Sequence, residues 1–159
     1  MEEICVDILL PQQFTIPGIN FKREVLNLDG QLYPQDLVQA RYEYFTLTYG
    51  PLPNFALTQL PPELQKRDWQ CVSIDYDDEQ VPFPVENSQA VYSNDTFFNL
   101  LRMVTDYDGE WILVFTTGCD EPEQAVSGNW IVAEEKVRES LANNNSFIMY
   151  YNGNRDTLI

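Results

Sequence analysis

The side chains that could do chemistry in this chain are carboxylates, tyrosines and thiols, because its 159 residues include no histidine. Without an imidazole there is no Ser-His-Asp or Cys-His constellation, since nothing can take the nucleophile's proton as those sites require. His-containing zinc sites go with it, as does the commonest ligand for catalytic transition metals. No G-x-x-x-x-G-K-[ST] loop occurs and no G-x-G-x-x-G follows a strand pattern, so the known phosphate cradles are missing. The residues give no reason to expect a cofactor or a resident metal.

Paired carboxylates could still hydrolyse a glycosidic bond if two of them stood about 5–9 Å apart across a cleft. Trp69, Trp111 or Trp130 could then stack on a sugar ring. Any acidic chain offers many such pairs, and a tryptophan beside an apolar strand is usually core. A small carboxylate-dependent hydrolase or sugar-binding protein is therefore an alternative, not the leading reading. Two runs, Asp75-Tyr76-Asp77-Asp78-Glu79 and Asp106-Tyr107-Asp108-Gly109-Glu110, bunch the hard oxygen ligands that calcium takes. Setting Gly109 as the sixth residue of an EF-hand loop puts Val104 first and Phe115 twelfth, where oxygen ligands are needed. The motif fails, and solvated turns are expected instead, with a looser, weak calcium site as the alternative. The three cysteines (Cys5, Cys71, Cys119) form no C-x-x-C pair. They read as reduced, largely buried thiols of a cytoplasmic protein, with one disulfide plus a free thiol as the alternative.

The distribution of charge is more informative than any motif. The chain carries 25 acids against 9 bases, a net charge of −16. An even split of the usual charged share would give roughly 20 of each, so missing Lys and Arg explain more of the imbalance than added acids do. So few cations argue against nucleic-acid binding, which needs Lys and Arg on phosphates. Residues 71–125 hold twelve of the acids and one base. There the acids gather in three groups: Asp75, Asp77, Asp78 and Glu79; Asp106, Asp108 and Glu110; Asp120, Glu121 and Glu123.

Each group borders the end of a predicted element. Residues 4–10 alternate Ile4, Val6, Ile8, Leu10 against Cys5, Asp7, Leu9, the pattern of a strand closed by Pro11. Residues 21–28 read as a second strand, with Asp29-Gly30 as turn chemistry and residues 31–33 returning. Pro34 at a first helical position and Asp36 in a first turn predict a short helix over 34–40. The aromatic and β-branched stretch 41–49 predicts a strand, residues 63–68 a helical turn, and residues 69–76 another strand.

Ser93, Asn94 and Asp95 can cap a helix reaching about Thr105, apolar on nearly every side and therefore buried or covered by a partner. The run 110–117 predicts a central strand covered on both faces. A loop spans 118–128. Ala133, Val137 and Leu141 mark a surface helix with a Glu134–Arg138 pair, ending at Asn143-Asn144-Asn145, and residues 147–151 make a last strand.

The expected architecture is a single α+β domain over 1–159, with a mostly antiparallel or mixed sheet and two main helices. No stretch suggests a membrane span or leader: Glu2 and Glu3 stand where a signal peptide carries positive charge, and the apolar run 111–115 is far too short. The leading functional reading is a non-enzymatic interaction module of inhibitor, immunity or adaptor type, whose acidic loops dock on a basic protein. A homo-oligomeric structural subunit is a further alternative, suggested by the apolar helix over 97–104. The acidic groups 75–79 and 106–110 would meet in one rim if strands 69–76 and 110–117 paired antiparallel. A parallel relation would send them to opposite ends.

Overall fold

A computed structural model describes residues 3–11, 16, 18–28, 31–52, 58–84, 88–105, 109–118 and 125–151, with backbone alone for 24–28, 31–37 and 125. Eight strands form one sheet: β1 (Ile4–Pro11), β2 (Lys22–Leu28), β3 (Gln31–Tyr42), β4 (Phe45–Gly50), β5 (Trp69–Tyr76), β6 (Trp111–Thr117), β7 (Ala125–Ser127) and β8 (Phe147–Tyr151). Their order is β2-β3-β4-β5-β1-β6-β8-β7. Every neighbouring pair is antiparallel except β7 with β8, so the sheet is mixed. Four helices that lie wholly within the described residues accompany it: single turns α1 (Pro62–Gln65) and α2 (Gln89–Tyr92), and the longer α3 (Asp95–Thr105) and α4 (Trp130–Asn143). The protein is thus a mixed helix-and-sheet fold in which sheet dominates.

Period-two patterning decides which face each strand buries. Val6, Ile8 and Leu10 of β1 join Leu47, Val72, Ile74, Leu113, Phe115 and Met149 in the larger core, which α2, α3 and α4 cover. On the other face Leu9, Trp69, Cys71, Ile112, Val114 and Ile148 form a smaller cluster with Leu60 and Leu64. All seven residues of β6 are buried, as a strand between β1 and β8 with cover on both faces must be. Four residues are too few to hold a helix alone. α1 persists because Leu64 is buried and Trp69 Nε1 donates to the Leu64 carbonyl at 2.9 Å.

Three elements depart from sequence expectation. Residues 34–40 are not a helix but part of β3, whose ladder partner is β2. The register slips between Val25 and Asn27, opposite residues 33–35, and a bulge is where a strand tolerates a proline such as Pro34. The stretch 41–49 is broken by a turn at Glu43, which adopts a left-handed φ of 52°, so it serves two strands. The expected loop 118–128 holds β7, and its Asp120, Glu121 and Glu123 lie outside the described residues. So do Cys119, Asp106, Asp108 and the Asp29-Gly30 turn.

The long helices follow their sequences closely. Phe97, Phe98, Leu100, Leu101 and Val104 of α3 are buried within the chain's own core, while Asn99 and Arg102 stay outside. The apolar character that suggested a homo-oligomer is thus absorbed by α4 and the sheet. Asn129 caps α4 by accepting from the amides of Ile131 and Val132, and Asn144 ends it in the left-handed region. Glu134 pairs with Arg102 of α3 at 3.2 Å, not with Arg138 as its spacing suggested. No helix among the described residues is long and apolar enough to cross a membrane.

Candidate functional site

β1 lies between β5 and β6 and is antiparallel to both, so β5 and β6 run parallel to each other. The carboxyl end of β5, with Asp75, Asp77, Asp78 and Glu79 at or just past it, therefore stands at the end where β6 finishes. Glu110, just before β6 begins, stands at the opposite end. Glu110 therefore does not share a rim with the acids of the β5 terminus, and Asp106 and Asp108 lie outside the described residues.

Glu110 has a different occupation. Arg67 and Glu110 form an ion pair, and Tyr150 Oη donates to Glu110 Oε1 at 2.8 Å. Burial, reinforced by the Glu110 carboxylate, pushes the Tyr150 phenol up to about 12. The three side chains tie the segment before β5 to β6 and β8 around the smaller core.

At the other end the acids of the β5 terminus meet further ones. Asp77 anchors the turn leaving β5: its amide donates to the Tyr44 carbonyl at 2.9 Å, and its Oδ1 accepts from the Glu79 amide at 3.1 Å. The Tyr44 contact brings the β3–β4 turn alongside, and with it the exposed Glu43. Glu3 arrives at the head of β1, where its carbonyl accepts from Gly118, whose left-handed φ of 62° turns the chain out of β6. Glu3, Glu43, Asp75, Asp78 and Glu79 are exposed. Arg41 reaches this group, 3.5 Å from Asp77. The end of β6 and the start of β7 also stand at this end, because β7 runs parallel to β8 from Ala125 opposite Ile148.

The acidic end continues onto the sheet face opposite the long helices. There one row reads Thr48, Ser73, Asp7, Val114 across β4, β5, β1 and β6. The next row, by the same registers, reads Thr46, Asp75, Cys5, Thr116. Ser73 Oγ donates to Asp7 Oδ1 at 2.6 Å, and Cys71 Sγ approaches the same oxygen at 3.7 Å. Burial raises the carboxyl of Asp7, with the Ser73 and Cys71 donations pulling the other way. Asp75 is raised by burial and by the charge of Glu3. Burial and the Asp7 carboxylate push the Cys71 thiol up to about 12, and burial with Glu3 and Asp7 also raises Cys5.

These directions bear on catalysis. A catalytic carboxylate pair has its two groups pushed apart, whereas Asp7 and Asp75 move the same way. A thiol held in its neutral form is a poor nucleophile, which describes both Cys5 and Cys71. Cys5, expected to be buried, is exposed on this face. It lies four residues along β1 from the position opposite Cys71, roughly 13 Å at 3.3 Å per residue, beyond the reach of a disulfide. Among the described residues no three Cys, Asp or Glu side chains are grouped to hold a metal ion.

Sequence reasoning missed Glu3, Asp7 and Glu43 as members of this surface. Asp7 carried a signal, being the charged residue on the polar side of the β1 alternation. Glu3 and Glu43 carried none, since the contacts that bring them in are long-range. No family model matches the chain, and neither a curated protein nor a solved structure matches it.

Proposed function

We propose that this protein is a non-enzymatic interaction module that binds a basic protein, in the manner of an inhibitor, immunity protein or adaptor. The observation that carries this reading is the company kept by Asp75, Asp77, Asp78 and Glu79. Glu3 and Glu43 join them at one end of the sheet, where Arg41 is paired with Asp77. A surface of one sign raises the encounter rate with an oppositely charged partner at low salt and steers its orientation. The same sign repels phosphate, so nucleic acid is not the partner. Free thiols at Cys5 and Cys71 support a reducing compartment, the cytoplasm.

The test replaces Asp75, Asp77 and Asp78 by Asn and Glu79 by Gln, then compares proteins retained from the native lysate by variant and parent. Retention of basic proteins by the parent alone, weakening as salt rises, is the expected outcome. An identical retained set would refute the reading.

A further inference from the structure

Asp7 is a half-buried carboxylate on β1, the fifth of eight strands in the sheet. Among the described residues no cation pairs with it; its charge is met by the Ser73 hydroxyl and the Cys71 thiol. The groups around it on the open face offer no compensation. From β5 it faces Cys71, Ser73 and Asp75, and along β1 it has Cys5 with Glu3 beyond. From β6 come Val114 and Thr116, both uncharged. The apolar half of the face adds Leu60 and Leu64. Arg41 is on β3, two strands beyond β5, and is paired with Asp77.

We propose that Asp7 is a proton switch. Mild acid adds one proton from solvent at the centre of the open face, which steadies the β1–β5 junction and lowers the negative charge that face presents. The inference goes beyond partner binding and requires no partner. An ionised carboxylate without a cation loses more by leaving water than two neutral donors return, while the protonated acid keeps the Ser73 bond and carries no charge. Burial, aided weakly by Asp75, raises the Asp7 carboxyl in agreement with this. Asp75, diagonal to Asp7 on the next strand, is raised as well, so discharging one carboxyl eases the other.

The sign of the linkage follows. A carboxyl whose pKa is higher folded than unfolded binds its proton more tightly in the native state. Its stabilising contribution is complete below the ordinary Asp value of about 3.9 and is lost as pH rises through the folded-state value.

The experiment follows the Asp7 carboxyl carbon by NMR through a pH titration of the full chain, in the parent and in Ser73→Ala. Unfolding in denaturant across the same range is compared between the parent and Asp7→Asn. We expect Asp7 to titrate above the ordinary range. Ser73→Ala, which removes a donor to the charged form, moves that midpoint higher. Asp7→Asn, close to the acid in shape, flattens the rise of stability on acidification. An Asp7 midpoint at or below the ordinary value, a midpoint unmoved by Ser73→Ala, or an undiminished slope in Asp7→Asn would each overturn the proposal. None of these outcomes depends on whether a basic protein binds.

Discussion

Arg138 of α4 holds its guanidinium 4.2 Å from the centroid of the Phe98 ring on α3. Arg102 returns the favour from α3, 4.3 Å from the centroid of the Trp130 ring while paired with Glu134. Two arginines thus cross the same helix–helix seam in opposite directions, each over an aromatic ring of the other helix.

Replacing Arg138 by Ala should cost about 0.5–1 kcal/mol, the usual size of an exposed cation–π contact. Arg102→Ala should cost at least as much because it breaks the Glu134 pair too. Urea unfolding midpoints measure both. If neither midpoint moves, apolar burial alone holds α3 to α4.

Glu110 and the Asp75–Glu79 group should respond in opposite ways. Glu110→Gln weakens the tie to Arg67 and Tyr150, a loss of about 1 kcal/mol for a partly exposed charged pair, and leaves partner retention as in the parent. The amide substitutions at the acidic end should abolish retention with little loss of stability. Loss of the partner on Glu110→Gln would mean that the docking surface extends to both ends of the sheet.

The thiols give a third measurement. In a Cys119→Ser background, maleimide should label Cys5 slowly near neutral pH and faster as pH rises, since burial and the Glu3 charge hold its proton. Cys71, buried and pushed up to about 12, should label only on unfolding. Equal labelling of the two in the folded protein would contradict the placement of Cys71 beneath the Leu60–Leu64 cover.

What could be read from the sequence was what local pattern controls. The alternation of Ile4, Val6, Ile8 and Leu10 fixed a strand and its buried side, and the apolar run at Trp111 fixed a central strand. Residues 34–40 misled because Pro34 and Asp36 are good helix openers locally, yet the β2 ladder supplies partners that no local preference reports. The Glu134–Arg138 spacing was sound for an isolated helix, but Arg102 and Phe98 on α3 outbid it. The acidic site depended on whether β5 and β6 run together or opposed. That is set by β1 entering between them, a choice of topology written in no window of neighbouring residues.

The position of β1 has a consequence for how the molecule is made. Ile8 leaves the ribosome about a hundred residues before its cross-strand neighbour Leu113. At ordinary synthesis speeds that interval is on the order of 5–20 s. For that time β1 has at most its β5 flank occupied. Contacts so distant in sequence make the final closure of the sheet a slow step.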